Sequence, residues 1–150
     1  MALEVHIPSI ANVIQLAIAP VFMLTAVGGF LNVITNRLAR AVDRARDLER
    51  LIGSLEGERL DLAKKELYVI SARARWTNRA ISYCTICALL VCFEIAVLFG
   101  GAFLAIDVSN AAGSVFVLAL LALTIALLSF LREIFLATRN LQIGSHRPGF

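Results

Sequence analysis

The chain has 150 residues, of which 59% are hydrophobic and 17% charged, with a mean hydropathy of +0.82. Soluble domains are nearer half apolar and a quarter charged, so the composition argues against a soluble domain and for a membrane protein. Three Cys are too few for a disulfide scaffold, three Pro and nine Gly exclude a collagen-like chain, and the net charge of +3 acquires meaning only once placed.

From Val5 to Asn36 there is no Asp, Glu, Lys or Arg; from Ala80 to Ile106 there is one, Glu94; from Val108 to Leu131 there is none. A hydrocarbon core of about 30 Å takes roughly 20 apolar residues in a helix, and inside it the backbone must bond to itself. None of the stretches alternates with period two, so strands are excluded. The expected fold is an all-α membrane protein with three transmembrane helices, over 10–35, 80–106 and 111–136. Ala17-Ile18-Ala19 looks like a signal-peptidase site, yet only Glu4 is charged ahead of it and Pro20 would follow the cut, so the first helix is expected to be retained.

Residues 37–79 hold Arg37, Arg40, Arg44, Arg46, Arg50, Arg59, Lys64, Lys65, Arg73, Arg75 and Arg79; the other basic residues are Arg132, Arg139 and Arg147. The positive-inside rule then places the N-terminus outside and both the long loop and the C-terminal tail (137–150) in the cytoplasm. Within that loop Leu38, Ala41, Ala45, Leu48, Ile52 and Leu55 recur at spacings of three and four, and after Ser54–Gly57 so do Leu60, Ala63, Leu67, Ile70, Ala74, Thr77 and Ile81. Such stripes predict an antiparallel helical hairpin over 36–79, with the first two transmembrane helices running on into it. Arg40, Asp43, Asp47 and Arg50, with Arg44 and Arg46, form a charged outer face, read as a solvated surface, or else as a charged vestibule or a patch for anionic lipid headgroups. Acidic residues interleave throughout and no aromatic platform accompanies the basic ones, so no nucleic-acid partner is expected.

On the first helix Asn12, Gln15, Ala19, Phe22, Ala26, Gly29, Val33 and Asn36 share one seam. Amides at both ends with small residues between suit either helix packing or a pore wall, in which Phe22 would be an apolar constriction. Pro20 removes one backbone hydrogen bond and shapes the helix. Near mid-membrane, Glu94 shares a face with Cys84, Cys87, Val91, Leu98 and Gly101. A carboxylate there needs a partner, a proton or water, which makes it an ion or proton site or one half of a structural pair with Arg132. Arg132 could instead snorkel to the interface, leaving Glu133 to face Thr35 or Asn36. Cys84-Thr85-Ile86-Cys87 has the CxxC form but no His or further Cys placed to complete a metal site, so it reads as buried small residues. His6 and His146 fall on opposite sides of the membrane. No phosphate loop, nucleophile–base pattern or ligand cluster is present; no enzyme, metal or cofactor is expected.

The runs Ile14–Phe22 and Leu31–Arg46, with Arg75-Trp76-Thr77-Asn78-Arg79-Ala80-Ile81 and Phe130-Leu131-Arg132-Glu133-Ile134, resemble a family of small bacterial membrane proteins. It is known as domain of unknown function twenty-seven twenty-one, and the resemblance covers nearly the whole chain. It implies a bacterial inner-membrane protein and supplies no activity. The residues themselves favour a homo-oligomeric channel passing ions. The seam on the first helix would line its lumen, and Arg37, Arg40, Asp43, Arg44 and Asp47 would stand at the cytoplasmic mouth. Glu94, Arg132 and Glu133 would be its intramembrane charges, and the lipid bilayer and further copies of the chain its partners. The alternative is a non-conducting scaffold or accessory subunit whose basic hairpin binds a protein or anionic lipid. Detergent size measurements and flux assays separate the two.

Overall fold

The computed structural model describes residues 10–141, with side chains as far as Thr138. Glu4, His6, His146 and Arg147, and the side chain of Arg139, lie outside the described residues. Three helices make up the fold: α1 (Ile10–Ile52), α2 (Glu58–Leu104) and α3 (Ser109–Leu141). All three are long and apolar enough to cross a membrane. The first two have 43 and 47 residues, about twice what hydrocarbon requires. Neither is interrupted where charge begins, because no Pro or strong cap stands near Arg37 or Arg79 to end it. Hydroxyls within the helices are satisfied locally: Thr25, Ser82, Thr124 and Ser129 each donate to the carbonyl four residues earlier. That arrangement gives each of these four O–H donors an acceptor in an apolar setting.

The α1–α2 turn follows from its residues. Ser54 donates through both its N–H and its hydroxyl to the Leu51 carbonyl, each at 2.9 Å, and so closes α1. Gly57 adopts a φ of +61°, a left-handed conformation that side chains resist. Its carbonyl accepts from Leu60 at 3.1 Å and Asp61 at 3.4 Å, opening α2. Arg50 in the last turn of α1, and Glu58 with Asp61 in the first turn of α2, all oppose the helix dipoles favourably.

The α2–α3 turn is tighter. The Ile106 N–H donates to the Gly101 carbonyl at 3.0 Å, while Ala105 takes a φ of +53°. This is the helix ending that glycine usually provides. Ala105→Gly is therefore expected to stabilise the protein by about 0.5–1 kcal/mol. The check is the unfolding midpoint in mixed micelles, where an unchanged or lower value contradicts it. The carboxylate of Asp107 accepts the Ser109 hydroxyl at 2.7 Å and the Ser109 N–H at 3.0 Å. Those bonds, the hydroxyl's first, hold the Asp107 carboxyl below its ordinary range.

Contacts group the chain into two units. In one, comprising among the described residues 10–31 and 83–124, the buried apolar side chains are small: Val13, Ala17 and Val27 of α1, Cys84, Cys87 and Val91 of α2, and Ala112, Ala119 and Ala122 of α3. Small residues let membrane helices approach closely, where dispersion replaces the hydrophobic effect as the driving force. In the other unit, 32–82 and from 125 onwards, Leu48, Ala63 and Ile70 form a core on which Ala41, Ala45, Ile52 and Leu55 pack. These belong to the two stripes whose spacing predicts that α1 and α2 pair on either side of their turn. An exposed ion pair, Arg44 to Glu66 at 2.9 Å, joins the same two helices and adds little stability.

Candidate functional site

All eight residues of the α1 seam are exposed: Asn12, Gln15, Ala19, Phe22, Ala26, Gly29, Val33 and Asn36. Phe22 is 72% exposed and Val33 53%. The helix is anchored instead by Val13, Ala17, Pro20, Val27 and Ile34, a face one position round from the seam. The Asn36 amide donates to the Asn32 side chain at 3.3 Å. At the other end, the Asn12 and Gln15 amides make no hydrogen bond to a described residue. The fold thus leaves a polar and small-residue strip of α1 uncovered, with open space above Gly28 and Gly29.

Three charges meet where the polar half of the chain begins. Glu133 is 2% exposed. Arg37 Nη2 donates to both its oxygens, at 3.0 and 3.3 Å. Arg73 donates to Oε1 from Nη2 at 2.9 Å and from Nε at 3.2 Å. One carboxylate therefore ties α3 to α1 and α2 by charge-assisted bonds. The Arg37 guanidinium also lies 5.5 Å from the Phe130 ring centroid, a cation–π contact. Two expectations change here. Glu133 faces Arg37 and Arg73, not Thr35 or Asn36, because two guanidinium groups neutralise a buried carboxylate as neutral side chains cannot. Arg37 likewise turns inward, whereas Arg40, Asp43, Arg44 and Asp47 are exposed.

Sequence reasoning missed Arg73. The signal was present, since Arg73 falls in the strict three–four series Ile70, Arg73, Thr77, Ala80, Cys84, Cys87, Val91, Glu94, the inward face of α2. A charge on a buried stripe demands a counter-charge.

Glu94 lies on that stripe at 5% exposure, and its Oε2 is buried with no hydrogen-bond partner. The expected pair with Arg132 is not formed. Arg132 is exposed on α3, its guanidinium 5.0 Å from the centroid of Trp76. A long cation at the end of an apolar helix is better accommodated at an interfacial indole than dragged towards mid-membrane. Cys84 and Cys87 are buried free thiols, and Cys92 is exposed.

These observations define an all-helical protein of the membrane class, with three helices long and apolar enough to span a bilayer and a clamped interhelical carboxylate. Residues 17–143 match the family described as protein of unknown function DUF2721, and the chain belongs to that family. No curated protein and no solved structure matches the chain.

Proposed function

We propose that the protein is a homo-oligomeric channel of the bacterial inner membrane that passes ions, with α1 lining the lumen. The observation that carries this reading is the uncovered α1 seam: the protomer packs on a neighbouring face and leaves amides and small residues outward. Facing lipid, an unsatisfied amide is costly, and a lumen shared by several copies supplies it with water. Phe22 would be the apolar constriction. In this arrangement the N-terminus lies outside, and the charged halves of α1 and α2 stand in the cytoplasm as an antiparallel hairpin. The Arg40, Asp43, Arg44 and Asp47 surfaces of several hairpins form the vestibule. Glu94 is then a buried carboxyl within the membrane, a candidate proton or ion site behind the α1 wall.

The test is ion flux through liposomes holding the full chain, with its particle size measured in detergent. Gln15→Leu is expected to reduce flux several-fold by dewetting the lumen, and Phe22→Ala to raise it. A particle of one chain only, or flux unchanged in both variants, removes the proposal. Flux unaltered by Glu94→Gln would confine that residue to packing.

A second reading draws on Leu51, Leu62 and Tyr68, which are 50%, 57% and 71% exposed on the charged arms. Apolar side chains on a solvated hairpin suit a non-conducting scaffold that docks a protein partner. An absence of flux in the parent, with a partner retained on the hairpin, favours that reading.

A further inference from the structure

The arginines of the polar half differ in what neutralises them. Arg37 and Arg73 hold Glu133, and Arg44 holds Glu66. Arg79 and Arg132, like Arg40, Arg46, Arg50, Arg59 and Arg75, form no ion pair among the described residues; what sets these two apart is that both lie on the ring of Trp76, with guanidinium carbons 4.8 and 5.0 Å from its centroid. Two exposed cations share one indole, and the ring offsets the charge of each only in part. The same indole forms one wall of an open groove of about 520 Å³ whose other walls include Ile125, Leu128, Leu131, Arg132 and Phe135. Leu128 and Phe135 are 57% and 59% exposed there. One cation, Arg132, thus lines the apolar trough, and a second, Arg79, shares its Trp76 wall; an amphipathic Trp favours the interface of a bilayer.

We propose that this groove is a binding site for an anionic phospholipid. Its phosphate is held by Arg79 and Arg132, and an acyl chain lies along Ile125, Leu128, Leu131 and Phe135. Guanidinium groups donate in pairs to phosphate oxygens, and a phosphodiester supplies the counter-charge that no carboxylate gives these two arginines. A zwitterionic lipid fills the trough equally well but brings its own cation to the arginines, so headgroup charge sets the preference. The inference is independent of whether the chain conducts ions.

The chain contains one tryptophan, so its fluorescence reports on this groove alone. The experiment reconstitutes the full chain in phosphatidylcholine bilayers containing either phosphatidylglycerol or phosphatidylcholine with brominated acyl chains, which quench indole on contact. Brominated phosphatidylglycerol is expected to occupy the site about tenfold more strongly than brominated phosphatidylcholine. The pair Arg79→Gln and Arg132→Gln abolishes the preference, either single change reduces it about threefold, and Arg79→Lys with Arg132→Lys retains most of it. Circular dichroism shows that the variants keep their helices, and the single changes carry the test should the pair lose them. Equal quenching by the two lipids in the parent overturns the proposal, as does a preference that survives the glutamine pair. So does a preference erased by excess inorganic phosphate and not by chloride at matched ionic strength, since that would assign the arginines to a free anion.

Discussion

Glu133→Ala is expected to destabilise the protein by about 2–4 kcal/mol, more than any other single change in its polar half. The carboxylate is 3% exposed, while the Arg37 and Arg73 side chains are 32% and 29% exposed. Removing it leaves two guanidinium groups, each about two-thirds withdrawn from water, with no counter-charge between three helices. Partial hydration of the arginines keeps the loss below that of a fully buried pair. The Arg37 Nε is already buried without a partner. Arg37→Ala and Arg73→Ala are each expected to cost less, about 1–2 kcal/mol, because Glu133 keeps the other arginine. Unfolding in mixed micelles measures all three, and a double-mutant cycle isolates the coupling. A Glu133→Ala variant within 0.5 kcal/mol of the parent, about the scatter of neutral surface changes, would show that the cluster does not bind the helices together.

Gly101→Val is expected to be the most disruptive substitution in the other unit, at about 2–3 kcal/mol. A Cβ on Gly101 would overlap both γ-methyls of Val108 and stand 3.2 Å from the Ile106 carbonyl oxygen. The chain reverses there in four residues, between Leu104 and Ser109. The Ile106 bond to the Gly101 carbonyl pins the returning strand of the turn against the helix. The backbone oxygen cannot move without breaking that closure, and Val108 is too short to swing clear. Gly101→Ala should cost about half as much, and Val108→Ala should restore part of it by removing the methyls. Unfolding midpoints for the two single variants and the pair give the result. Strictly additive losses would mean that Val108 does not enforce the glycine.

Much of this architecture is visible one residue at a time. Hydropathy and charge accumulate along a chain, so three spans and a charged segment between the first two can be read without knowing what touches what. The stripe from Ala41 to Leu55 and its partner from Ala63 to Ile70 were equally legible, because polar neighbours set off an apolar face in water. That contrast fades inside the membrane, where every face of a helix is apolar and composition no longer marks the inward one. The amide-bearing strip of α1 and the face that anchors it, Val13 to Ile34, differ by one position, and only packing separates them.

The sequence by itself determined three long helices apolar enough to cross a membrane, two of them with charged arms, since those follow from local composition and the chemistry of the solvent. The tertiary structure alone decided which charges meet. Glu133 lies 96 and 60 residues from Arg37 and Arg73, and Arg132, adjacent to it in the chain, turns to Trp76 instead. Neighbours on a helix point about 100° apart, so the rotation of each helix about its axis assigns one charge to the interior and the next to the surface.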